Sequence, residues 1–227
     1  MLRPEVNVLK KLRARFQKLD RAKYISHLDL YRFMQRTFKR ARISVWYTQG
    51  FNPHLYIMFP LPLSLGFEGE CEIMDFNIND DNLEPETVME KLNSVLPEGI
   101  RITEIYQPVM KHTEIEFSHY EINLISGNSN FSEENFRRFM GQEQIKIQKK
   151  TKQKTMKEID IKPFSDVSDV YDTDEGVHIS LRMPSGSNAN YNPSLLLSAF
   201  YQFIGDEPVF EKIKRVRITT GQGENFR

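Results

Sequence analysis

The chain has 227 residues, 39% hydrophobic and 27% charged, with a single cysteine and a formal net charge of zero. This composition excludes a disordered chain and suits one large domain or two small ones. The lone thiol, Cys71, excludes an internal disulfide and the three or four thiolates of an iron–sulfur cluster or structural zinc site. No iron–sulfur cluster or thiolate-bound zinc is therefore expected, no cofactor or metal is assigned, and a reducing cytosol fits.

The charge is unevenly spread. Residues 1–50 hold thirteen Lys and Arg against Glu5, Asp20 and Asp29, a surplus of +10 that leaves −10 for the rest. Such asymmetry points to a cationic surface for a polyanion. The amino end, Met1-Leu2-Arg3-Pro4-Glu5, lacks the apolar stretch of a signal peptide. The longest apolar run, Tyr56 to Leu65, is broken by Pro60 and Pro62. A soluble cytoplasmic protein, away from membranes, is expected.

In chain order, Leu12 to Leu19 alternates apolar and charged residues and reads as a half-buried strand. Ser26 looks like a helix N-cap, with Asp29 three residues on as the reciprocal acceptor of a capping box. The helix should run from His27 to Arg42, burying Leu30, Phe33 or Met34, Phe38 and Ala41. Arg32, Arg36, Lys39 and Arg40 share another face. Val45 to Tyr47, Leu55 to Leu61 and Glu70 to Ile78 read as strands, and Gly50 to His54 as a turn. Pro85 opens a helix through Leu96, and Ile100 to Tyr106 is another strand.

The order then partly recurs. Phe117 to Ile125 is a strand and Ser132 caps a short helix to Met140. Gln144 to Thr151 and Lys157 to Phe164 flank a lysine-rich turn, while the acidic stretch Asp166 to Glu175 reads as a surface loop. Val177 to Met183 is a strand, Asn192-Pro193 starts an apolar helix, and Val209 to Thr219 closes the series before a mobile tail after Gly221. The fold class is α+β: two ferredoxin-like units, antiparallel sheets with helices on one face, over residues 1–110 and 111–227.

The chemistry-bearing residues gather in two places in the first unit. His27 and Asp29 stand at the helix start; Gly50, Phe51, Asn52, Pro53 and His54 form a loop. Three readings of His27, Asp29 and His54 compete: helix capping and loop-fixing hydrogen bonds, contacts to a phosphate or base, and a metal or acid–base site. Arg32, Arg36 and Arg40 recur every four residues with no helix carboxylate placed to pair with them, and Arg13, Arg15 and Lys18 come from the adjoining strand. They form either a solvated face or a phosphate-binding stripe. On an extended hairpin Lys150, Lys152 and Lys154 would point to one side, following a nucleic-acid backbone or guarding a sheet edge.

Four segments together resemble a bacterial family described as radical-SAM-linked. They are Arg13-Ala14-Arg15-Phe16-Gln17-Lys18, Ser26-His27-Leu28-Asp29-Leu30-Tyr31-Arg32, Gln49-Gly50-Phe51-Asn52-Pro53-His54 and Pro60-Leu61-Pro62-Leu63-Ser64-Leu65-Gly66. Lys157-Glu158-Ile159-Asp160-Ile161 and Asn192-Pro193-Ser194-Leu195-Leu196 are similar to it as well. The resemblance implies a module fused to, or encoded beside, a cobalamin-binding radical-SAM protein, often near genes of ribosome and ribonuclease biology. It supplies no catalytic residue, and this chain lacks the cysteines of that partner. Two function classes follow: a non-catalytic RNA-binding or substrate-presenting accessory protein, and a small RNA-processing or RNA-modifying enzyme using His27, Asp29 and His54. A protein-interaction module is a third.

Overall fold

The computed structural model describes residues 9–127, 129–150, 156–187 and 189–227. The chain divides into two units, the first ending at His112 and taking in Arg227, the second running Thr113–Phe226. Among the described residues there are four α-helices and ten strands, and every strand pairing described below is antiparallel. The fold class is α+β. Among those residues no helix is long and apolar enough to cross a membrane.

In the first unit, alternation sends Leu12, Ala14 and Phe16 of strand β1 (Lys10–Lys18) into the core. Helix α1 (His27–Arg40) lays Leu30, Met34 and Phe38 into the same core. Phe38 meets Phe76 of strand β3 (Glu68–Ile78) at 4.8 Å between ring centroids. Between α1 and β3 in the sequence comes β2, only Ile57–Met58, because Pro60 and Pro62 cannot extend a ladder. The expected strand at Val45 to Tyr47 is reduced to single bridges, Val45 to Ile78 and Tyr47 to Leu55. Helix α2 (Pro85–Asn93) stops short of Leu96. There the Asn93 amide turns to β4 (Ile100–Tyr106), donating to the Ile102 carbonyl and accepting from its N–H, both at 2.9 Å. The turn into β4 needs glycine: Gly99 has φ +82°, and a Cβ there would lie 2.7 Å from the Leu19 carbonyl.

β1 lies between β4 and β3, and β2 pairs with the other side of β3. That register sets Arg13 opposite Asp75 and Arg15 opposite Glu104. The Arg13 guanidinium binds Asp75 through two nitrogens at 2.6 and 2.8 Å and donates a third bond to the Met110 carbonyl at 2.9 Å.

In the second unit, β5 (Phe117–Ile125) and β9 (Gly176–Pro184) alternate strictly. Tyr120, Ile122 and Leu124 are buried from one, Val177, Ile179, Leu181 and Met183 from the other. Helix α3 (Glu133–Met140) is capped by Ser132, and α4 (Pro193–Ile204) by Asn192. Phe136 and Phe139 of α3 pack on Phe200 of α4 at 5.1 and 5.4 Å. A separate hairpin, β6 (Lys146–Lys150) with β7 (Met156–Asp160), follows α3.

The acidic stretch expected as a loop is instead strand β8 (Asp166–Thr173), paired with β9. It is the outer strand of the order β10-β5-β9-β8, where β10 spans Phe210–Thr219. Carboxylates suit an edge because they discourage further pairing. The tail is also tied down: Phe226 is buried, and Arg217 bonds the Asn225 side chain at 2.6 Å and the Gly223 carbonyl at 2.9 Å.

Arg13→Ala should lower unfolding free energy by roughly 3 kcal/mol, because it strands the Asp75 carboxylate away from water. Urea unfolding followed by circular dichroism measures this; a midpoint equal to wild type would show that Asp75 is solvated without its partner.

Candidate functional site

At the start of α1 the Ser26 Oγ accepts from the Asp29 N–H at 3.2 Å, as an N-cap should. The carboxylate half of the expected box takes a different partner: the Ser26 hydroxyl donates to Asp29 Oδ2 at 2.7 Å. The other Asp29 oxygen lies 3.9 Å from Arg32 Nη1, an exposed i,i+3 pair that the sequence did not foresee. His27 is exposed beside this cap, its ring edge-to-face with Phe59 at 5.4 Å.

The Gly50–His54 loop is closed by a clamp. Thr48 N–H donates to the His54 carbonyl at 2.8 Å, His54 N–H donates to Thr48 Oγ1 at 3.1 Å, and His54 Nδ1 lies 3.1 Å from both Thr48 Oγ1 and the Asn52 carbonyl. Gly50, Phe51, Asn52 and Pro53 are all exposed, and Phe51 projects fully into solvent. Among the described residues no hydrogen bond or ion pair joins His54 to His27 or Asp29. No group of three or more His, Cys, Asp or Glu there could hold a metal. His27, Asp29 and His54 thus sit in separate local networks.

The cations sort by element. Arg13 and Lys18 are 2% exposed; Lys18 donates to the Lys23 carbonyl at 3.1 Å, so both serve the interior of the sheet. Arg15 lies half-buried, 3.9 Å from Glu104. Arg40 reaches the Val95 carbonyl at 2.6 Å and lies over the Phe33 ring. Arg32, Arg36 and Lys39 remain exposed along α1. Lys150 ends β6, and Lys152 and Lys154 fall outside the described residues. Their neighbour Lys149 is held inward, donating to the Asn190 carbonyl at 2.8 Å with its ammonium 3.9 Å from the Tyr191 ring centre. Burial lowers its pKa.

Two features escaped the sequence reading. Tyr24 is 64% exposed next to Lys23, whose Nζ lies 5.3 Å from its ring; Leu28 and Leu65 are exposed as well. A turn N–H bond from Gly66 to the Lys23 carbonyl, 3.0 Å, brings Leu65 toward this segment. The second is a polar cluster on the half-exposed face of the second unit's sheet. Glu121 Oε2 lies 2.6 Å from His178 Nε2 and accepts from Ser180 Oγ at 2.7 Å, while His178 Nδ1 meets Asn123 Oδ1 at 2.8 Å and its ring stacks on Tyr171. Alternation placed each residue on that face; only register joined them.

On the same face His119 has its pKa pushed below 6.5, first by desolvation and then by Arg217 and Arg182, against weaker opposing effects of Asp166 and Glu121. A histidine held low stays neutral in the fold while the unfolded chain takes up a proton. Its stabilising contribution is complete above pH 6.5 and is lost as pH falls through that value toward the lower folded one. His119→Gln should flatten the pH dependence of urea stability in that interval; an identical pH profile would rule out this linkage. Ser26→Ala should cost about 1 kcal/mol by the same assay. An unchanged midpoint would mean that the Asp29 N–H is satisfied without the hydroxyl.

Residues 11–193 match the model of a family described as "Uncharacterized protein conserved in bacteria (DUF2344)". No curated protein matches the chain.

Proposed function

We propose, from the premise that the chain belongs to this bacterial family, that it is a non-catalytic RNA-binding or substrate-presenting protein. The observation that carries the reading is the row of exposed cations on α1: Arg32, Arg36 and Lys39 point to solvent, with Asp29 reaching only the first of them at 3.9 Å. Phosphates neutralised by such a row release condensed counterions. Tyr24 and Phe51 add exposed aromatic faces, the kind on which unpaired bases stack without sequence preference. Arg13 contributes indirectly by holding β1, and Arg40 by bracing the helix end.

The separate networks around His27, Asp29 and His54 weigh against an enzyme built on those three. Each unit is best read as ferredoxin-like. The first, second, third and fourth strands of both (β1, β2, β3, β4 and β5, β8, β9, β10) fall in the spatial order 4-1-3-2, with helices in the first and third connections. The motif resemblance supports a separate radical-SAM protein as partner, with RNA or ribosome biology as the setting.

Replacing Arg32 and Arg36 together by Ala should make the slope of log K against log salt shallower by roughly 1.4 units on single-stranded RNA. Stability should barely change, since exposed charges contribute little to folding. Fluorescence titrations of unstructured RNA at several salt concentrations measure this. Absence of binding at low salt, or a wild-type slope in the double variant, would overturn the proposal.

A further inference from the structure

The second unit carries a row of side chains contributed by four adjacent strands. Arg217 of β10 stands opposite His119 of β5, His119 opposite Arg182 of β9, and Arg182 opposite Asp166 of β8. Directly opposed residues on an antiparallel sheet project to the same face, with Cβ atoms about 5 Å apart. The row is therefore two guanidinium groups with an imidazole between them and one carboxylate at its end.

Both arginines are held in place from the outside. Arg217 is anchored through Nε to the Asn225 side chain at 2.6 Å and through Nη2 to the Gly223 carbonyl at 2.9 Å. Arg182 is anchored through Nη2 to Asp166 at 2.7 Å, with its guanidinium 4.8 Å from the centre of the Phe117 ring. His119 Nε2 meets Thr219 Oγ1 at 3.2 Å. Arg217 is exposed, His119 half-buried, and the Arg182 side chain 42% exposed. Asp166 can neutralise one of the two fixed charges, so the row keeps a net positive potential at His119. The His119 pKa is lowered first by desolvation, and Arg217 and Arg182 push it the same way against the smaller opposing effects of Asp166 and Glu121.

We propose that Arg217, His119 and Arg182 form a phosphate-binding row on the second unit. Preorganised guanidinium groups recognise tetrahedral oxyanions through charge-assisted hydrogen bonds, and the imidazole adds a third donor once the anion favours its protonated form. The ligand is a phosphate group, either a terminal monoester or a diester within a strand. The row stands on different residues from the α1 surface, so either reading can fail alone.

The test is histidine NMR on the full chain, with the His119 signals assigned through His119→Gln. Inorganic phosphate, a nucleoside 5′-monophosphate and an unphosphorylated uridine hexamer are titrated separately at constant ionic strength, with chloride as control. At least one phosphate probe should shift the His119 resonances saturably and raise its pKa. The monoester probes alone would identify a terminal phosphate, the hexamer alone a strand. Arg217→Gln should weaken that binding roughly tenfold or more. Asp166→Asn, which removes the competing carboxylate, should tighten it. If the phosphate probes behave like chloride, or if both variants titrate like wild type, the site is overturned.

Discussion

In the first unit the Arg13 guanidinium lies against the Asp75 carboxylate, two nitrogens on two oxygens, with a third on the Met110 carbonyl. A charge pair this buried cannot lose one member cheaply, because the survivor faces a low dielectric without compensation. It also fixes register. Slipping β1 by one residue would turn Arg13 into the layer now filled by Leu12, Ala14 and Phe16. The pair thereby sets the position of β1, on which β3 and β4 both depend. Lys23, 3.9 Å from Glu68, is a second buried pair in this unit, whereas Arg15 and Glu104 face each other partly in water.

This constraint divides the cations of the basic first 50 residues into two populations. Arg13 and Arg15 of β1 have a strand on either side and meet the cross-strand carboxylates Asp75 and Glu104. Cations on the outer face of α1 have only their own helix nearby, so they remain in water and stay available to a polyanion. A net surplus of charge thus becomes a surface on one element and an internal framework on the next. The capping geometry of Ser26 and the His54 clamp serve that surface by fixing where α1 begins and how the Phe51 loop is closed.

The second unit repeats the strand order of the first but spends its polar residues differently. Its two inner strands bury one set of alternate residues and turn Glu121, Asn123, His119, His178, Ser180 and Arg182 to the other side. Those groups satisfy one another across strands, and the arginines at the Phe117 end leave an excess of positive charge. The acidic sequence of β8 closes the edge of this unit and supplies the one carboxylate of the row.

The sequence by itself determined the local elements. Serine and asparagine caps before apolar periodic stretches marked α1, α3 and α4, and strict alternation marked β1, β5 and β9, because both signals act within a few residues. It also located the exposed arginines of α1 and the exposed loop at Phe51, since helix faces and Gly/Pro turns are local properties. It misread β8, whose carboxylates resemble a loop until a neighbouring strand supplies the hydrogen bonds. Only the tertiary structure decided which cations are free. Whether Arg13 meets water or Asp75, 62 positions away, depends on strand pairing. The same is true of His119 between Arg182 and Arg217. Register couples residues that no local pattern connects, and cross-strand neighbours settle the fate of each charge.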